Sequence, residues 1–285
     1  MTATKSPWRD LSTRLASAAV LIAVTLLALE SGPVAWTVFI FAIYCTMIWE
    51  LAGLCDPLWP MGRRIAIAAL PMIFPVLAIV GLLFAELPLV DASSGGPRGP
   101  TLFFAGYLGA AAGLVAPLLA GLFFPSQGRR LWLSYGLILA AAALFLAYAY
   151  EAFGTRGLTI LVSIVVISDT AGYFAGRALG GPKFWPSVSP KKTWSGTIAG
   201  WVCTAIFGAI MLPTAGVPPA IGALIAFVIC FAAQLGDIAE SAMKRRAGVK
   251  DSSALIPGHG GFLDRMDGLV AAACLAGIIT LATGG

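Results

Sequence analysis

Runs of about twenty residues without a charged side chain recur along most of this chain, as in Leu131–Tyr150 and Pro219–Gly236. At 1.5 Å of rise per residue, a helical run of that length matches a hydrocarbon core about 30 Å thick. The backbone of such a segment must satisfy its own polar groups inside lipid, and a helix does so. Composition agrees: 59% of the 285 residues are hydrophobic and 11% are charged. A soluble domain would carry about 25% charge and about 45–50% apolar residues. A greasy soluble core is the competing reading, and the length of the uncharged runs argues against it. The expected fold class is an all-α, polytopic integral membrane protein.

Nine apolar segments are expected, over 14–30, 33–54, 64–88, 102–124, 131–151, 157–178, 195–213, 219–241 and 262–283. They form one membrane domain, 1–285, with an N-terminal multi-span region (14–150) and a second region (157–285) that holds the polar motifs. The breaks carry turn chemistry: Ser31-Gly32-Pro33, Asp56-Pro57, the stretch from Asp91 to Pro100, Pro125 to Gly128, a loop from Gly180 to Ser195, and Val217-Pro218-Pro219. Met1–Arg14 is short and basic, and the run after it suits a retained first span rather than a cleaved signal.

Nine spans sort the cations. Sixteen of the 18 Lys and Arg residues fall on the N-terminal side, and only Arg98 and Arg156 fall on the other. That asymmetry puts the N-terminus in the cytoplasm and the C-terminus outside. The net charge of +5 is therefore a topological signal, and no nucleic-acid partner is expected. The five cysteines form no CxxC pair and read as small apolar packing residues.

Three polar clusters fall on the cytoplasmic side. In the first, Asp169 lies inside an apolar span, where a carboxylate costs a few kcal/mol unless it is paired or metal-bound. It reads as a functional acid or as a structural one paired with a Lys or Arg. Gly172 and Gly176 fit a small-xxx-small packing face. In the second cluster, Ser189-Pro190-Lys191-Lys192-Thr193 precedes a span. It suits phosphate at a helix N-terminus, or topology plus an interfacial Trp194.

The third cluster runs from Gln234 to Asp267. Asp237 and Glu240 are i,i+3, and Glu240–Lys244 and Ser241–Arg245 continue that face at i,i+4. Gly258, Gly260 and Gly261 flank the single histidine, His259, and let backbone N–H groups approach a ligand. Asp264 and Asp267 repeat the i,i+3 spacing around Arg265. A surface ion-pair network is the plain alternative. Carboxylates are hard oxygen ligands for Mg²⁺, and neighbouring cations neutralise phosphate oxygens. The combination suggests metal-assisted phosphoryl or nucleotidyl transfer. His259 reads as a phosphate-binding or loop-ordering residue.

The stretch Ser241 to Asp267 resembles the signature of the phosphatidate cytidylyltransferases, or CDP-diacylglycerol synthases. It does so at Ser241, Lys244, Arg245, Lys250, Asp251, Pro257, His259, Gly260, Gly261, Asp264, Arg265 and Asp267. Gln234, Gly236, Asp237 and Glu240 fit upstream, as do Ser189 to Trp194 and Gly196. One departure is Asp169-Thr170-Ala171-Gly172-Tyr173-Phe174, where the family commonly has D-T-G-A-Y-F. The resemblance is specific over about residues 160–285.

The resemblance implies that CTP and phosphatidate give CDP-diacylglycerol and pyrophosphate, in phospholipid biosynthesis. It implies Mg²⁺ as cofactor, with a second monovalent or divalent cation allowed. It makes Asp237 and Asp264 the leading metal ligands, followed by Asp267, Glu240 and Asp169. Lys191, Lys192, Lys244, Arg245, Lys250 and Arg265 would meet CTP phosphates or the lipid headgroup. Ser189, Thr193, Ser241, His259, Gly260 and Gly261 would line the substrate site. A homodimer in the inner (plasma) membrane, its site facing the cytoplasm, is expected. A transporter would carry its charges near mid-membrane. A CDP-alcohol phosphotransferase would carry D-G-x2-A-R-x8-G-x3-D-x3-D, which is absent here.

Overall fold

A computed structural model describes residues 7–85, 113–123 and 126–283. The elements are α1 (Pro7–Glu30), α2 (Pro33–Cys55), α3 (Met61–Ala85), a 3₁₀ helix (Ala116–Phe123), α4 (Ser126–Leu179), β1 (Lys183–Trp185), β2 (Ser189–Thr193), α5 (Trp194–Met211), α6 (Pro219–Arg246) and α7 (Leu263–Thr283). Among the described residues, five helices are long and apolar enough to cross a membrane: α2, α4, α5 with the turn after it, α6 and α7. Leu15–Glu30 and Gly113–Phe123 are shorter apolar helices. Residues 86–88 of the expected 64–88 segment, the break from Asp91 to Pro100, and residues 102–112 and 124 of the expected 102–124 segment lie outside the described residues.

The expected segments 131–151 and 157–178 fall as two helices on either side of a kink within α4. Its 54 residues would run about 81 Å if straight, far more than one bilayer core. The helix is broken at Gly154, whose φ of 63° and ψ of −170° are not helical. That break falls between the two expected segments. One finding differs from the sequence reading: the loop from Gly180 to Ser195 holds an antiparallel hairpin. Lys183 pairs with Thr193 and Trp185 with Ser189, with a bulge between. The hairpin satisfies backbone groups that periodicity could not assign, because the stretch is too short to show alternation.

The chain divides into two compact units, Val24–Ala147 and Met1–Ala23 with Tyr148–Gly285. In the first, buried aromatic side chains spend their polar atoms on backbone carbonyls. Tyr44 Oη donates to Leu114 O (2.6 Å), and Trp36 Nε1 to Leu146 O (2.8 Å). Arg64 closes the α2–α3 connection by donating to the carbonyls of Asp56, Pro57 and Trp59.

The second unit carries the polar motifs, and glycines set its helix spacing. A Cβ on Gly196 would stand 2.5 Å from Gly172 O, so α4 and α5 meet backbone to backbone. A Cβ on Gly236 would stand 2.5 Å from Asp267 O and 2.6 Å from Ala271 Cβ. Close approach of this kind is how helices associate where burying apolar surface gives no driving force. It also brings the acids of α6 beside those of α7. Gly236→Ala should therefore push α6 and α7 apart and destabilise the protein by about 1–3 kcal/mol, the scale of overpacking. Gly62→Ala, where a Cβ meets nothing within 4 Å, is the control. Thermal unfolding in detergent should show a lower midpoint for the first variant only.

Candidate active site

Four helices, α4 to α7, and the hairpin supply the site. On α4, Asp169, Tyr173 and Arg177 follow one another at i,i+4, with Gly172 and Gly176 between them. On α6, Gln234 and Asp237 are i,i+3, and on α7 Asp264 and Asp267 repeat that step. Thr193 is the N-cap of α5. Its hydroxyl accepts from Gly196 N (3.3 Å) and so fixes where β2 ends. These faces line a cavity of about 590 Å³, a size that suits a small ligand.

The cavity walls include Asp169, Lys191, Lys192, Thr193, Asp237, Asp264, Arg265 and Asp267. Carboxylates and cations therefore line one space. Lys192 forms an ion pair with Asp237. The other expected residues lie beside this space rather than on its walls. Glu240 sits on α6 and is fully buried. Ser241 Oγ donates to Asp237 Oδ1 at a long 3.5 Å. Arg245 and Lys250 are exposed where α6 ends, and Arg245 donates to Val249 O (3.3 Å). Ser189 lies in the hairpin opposite Trp185.

Behind the wall is a second charge cluster. Lys244 forms an ion pair with Glu240 and donates to Asp264 Oδ1 at 2.6 Å. Asp264 Oδ2 accepts from Ser252 N (2.8 Å), Ser252 Oγ (2.9 Å) and Gly261 N (2.8 Å). Asp264 thus ties the loop after α6 to the start of α7. Gly260 has a φ of +89°, and a Cβ there would stand 2.8 Å from Asp264 Oδ2. Glycine is required for both reasons. Asp264 also lies in the first turn of α7, where the helix dipole favours an anion.

His259 orders its turn. Ile256 N donates to Gly260 O (2.8 Å), and His259 N donates to Ile256 O (2.9 Å). Arg265 clamps His259 O through Nε (3.0 Å) and Nη2 (2.7 Å). Ser17 of α1 lies 2.8 Å from His259 Nδ1 and donates to Pro257 O (3.1 Å). The reading of the sequence missed Ser17, which stands 242 residues from its partner in an apolar run with no local signal. It also missed Ser252 and a network in the cavity wall. There Trp201 Nε1 donates to Gln234 Oε1 (2.9 Å), and Gln234 Nε2 donates to Ser168 Oγ (3.2 Å). Gln234, one turn before Asp237, was the available signal for that network.

The carboxylate oxygens of Asp237, Glu240 and Asp267 lie within 4.8 Å of one another. With Asp169 and Asp264 nearby, five acids meet two ion-paired lysines among the described residues. An excess of hard oxygen donors at a membrane helix end fits a divalent cation.

A sequence model of the cytidylyltransferase family matches residues 12–282 of this chain. The chain belongs to the cytidylyltransferase family. Among its relatives, the phosphatidate cytidylyltransferase of Brucella suis biovar 1 is 38% identical over 272 residues, covering 93% of this chain and 92% of that protein. That of Brucella abortus biovar 1 is 37% identical over the same length, with the same coverage. The Mycobacterium tuberculosis (strain H37Rv) phosphatidate cytidylyltransferase is 31% identical over 223 residues, 78% of this chain and 61% of the relative. The cytidylyltransferase match reaches α1 and α2, beyond the motif-bearing residues from about 160 onward.

In this cytidylyltransferase, Lys244 compensates two buried acids at once. Removing one partner of a buried pair costs about 3–5 kcal/mol, because the other charge is left alone. Lys244→Met should destabilise by that much. Adding Glu240→Gln to Lys244→Met should recover part of the loss, and a double-mutant cycle on unfolding free energies measures the coupling.

Proposed function

We propose that the chain is a phosphatidate cytidylyltransferase: it joins CTP and phosphatidate to give CDP-diacylglycerol and pyrophosphate. The observation that carries this reading is one cavity at the ends of membrane helices, lined by Asp169, Asp237 and Asp267 together with Lys191, Lys192 and Arg265. Anionic substrates need those cations. A reaction between two of them needs charge neutralised where they meet.

In the step itself, a phosphate oxygen of phosphatidate bonds to the α-phosphorus of CTP. The bond from that phosphorus to the bridging oxygen breaks, and pyrophosphate leaves with the electron pair. The nucleophile is already anionic, so no general base is required. Lys191, Lys192 and Arg265 orient phosphates and offset their charge. Lys244, with Asp264, Gly260 and Gly261, holds the loop in place, and His259 fixes the turn. Arg245 and Lys250 supply positive potential where α6 ends. Ser189, Thr193 and Ser241 complete the hydroxyl lining around β2 and α6.

Asp237, Glu240 and Asp267 would hold the Mg²⁺, with Asp264 and Asp169 nearby and room for a second cation. When bound, Mg²⁺ supplies charge neutralisation to the phosphate groups and orders them for in-line displacement.

The setting extends the same reading. Nine spans, a cytoplasmic N-terminus, an external C-terminus and an inner-membrane site facing the cytoplasm agree with the split of sixteen cations against two. The chain acts as a single membrane domain, 1–285, whose 157–285 region carries the chemistry, and works as a homodimer.

Purified protein should release pyrophosphate from CTP only when phosphatidate and a divalent cation are both present. Asp237→Asn and Asp267→Asn should each lower kcat by at least about 100-fold, the scale of removing a key electrostatic stabiliser. Near-normal turnover in either variant would remove that residue from the site. Equal turnover without phosphatidate would sink the assignment.

A further inference from the structure

The hairpin between α4 and α5 turns Lys191, Lys192 and Thr193 toward the cavity and carries further cations and tryptophans that the proposed reaction does not use. Both flanking helices are long and apolar enough to cross a membrane, and only 14 residues join them. The hairpin is therefore held at a bilayer surface. No Asp or Glu occurs between Asp169 and Asp237, while Arg177, Lys183, Lys191 and Lys192 all do. Arg177, Lys183 and Lys191 are exposed. Large apolar groups stand beside them: Leu179 is 76% exposed, Trp185 47% and Trp194 42%. Phe184 packs edge-on to Trp194 with centroids 4.7 Å apart, which stiffens the base of the hairpin. Exposed tryptophans next to cations are the composition of a membrane–water interface.

We infer that the hairpin Lys183–Thr193, with Arg177 and Leu179, is a docking surface for the anionic headgroup layer of the surrounding bilayer. Trp185 and Trp194 enter the headgroup region, and the three exposed cations gather lipid phosphates at the cavity rim. Arg177, Lys183 and Lys191 also wall the cavity, so the surface is continuous with it. The electrostatic match decides the occupant, because this stretch offers an anion no repulsion. The inference needs only that α4 and α5 cross the bilayer. It does not rest on the proposed reaction.

Hydrogen exchange across residues 183–193 tests it, with the full-length protein in nanodiscs. Three compositions are compared: phosphatidylcholine alone, and phosphatidylcholine mixed with phosphatidylglycerol or with phosphatidate. Each cation near an anionic surface contributes about 1 kcal/mol, so three of them should slow exchange by at least about tenfold in both anionic mixtures. Lys183→Gln should give back about fivefold of that. Protection with phosphatidate alone would assign the effect to a filled cavity and overturn the surface. So would equal exchange in all three compositions. Pyrophosphate release, measured in the same nanodiscs, reports on the reaction separately. Loss of one result leaves the other standing.

Discussion

The site depends on one lysine held between two acids. Lys244 is paired with Glu240, which is fully buried, and with Asp264, whose side chain is 3% exposed. Charges removed from water cost several kcal/mol each unless each meets a partner and its remaining hydrogen-bonding sites are filled. Asp264 meets that demand with Lys244, Ser252 and Gly261. The result is mechanical as well as electrostatic. The end of α6, the loop after it and the start of α7 are locked into one piece.

That lock positions the acids that line the cavity. With α6 and α7 fixed at Gly236 by backbone contact, Asp237 and Asp267 come together without a linking residue. The acids form two layers. Asp237 and Asp267 wall the cavity, while Glu240 and Asp264 hold Lys244 behind it. Asp264 belongs to both layers, since it touches the cavity and also carries the loop. A group with three hydrogen bonds on one oxygen is well placed but heavily engaged. Asp237 and Asp267 are the freer donors.

The cations divide in the same way. Lys191, Lys192 and Arg265 reach the cavity, and Arg265 also clamps the His259 turn through its carbonyl. Arg245 and Lys250 are exposed where α6 ends and do not line it. Substrate phosphates would therefore meet a graded positive surface, from the exposed hairpin at the rim to Lys192 beside Asp237.

Much of this was legible in the residues alone. Long uncharged runs force helices, because lipid offers the backbone no other hydrogen-bond partner. The i,i+3 spacings of Asp237–Glu240 and Asp264–Asp267 place each pair on one helix face, and acids, cations and glycines together suggest phosphoryl or nucleotidyl transfer, which the resemblance from Ser241 to Asp267 narrows to the second. These are local properties, carried by period and composition. Contacts between distant segments were not legible. Ser17 against His259, Gln234 against Ser168 and Trp201, and the backbone meeting at Gly236 join residues whose separation leaves no periodic trace. Nor could spacing separate Asp264, tied into its loop, from Asp237 and Asp267, since all four acids of the two pairs share one pattern. Which acids face the cavity and which hold a lysine behind it depends on how closely α6 and α7 approach. That distance is set by packing between helices, which only the tertiary structure decides.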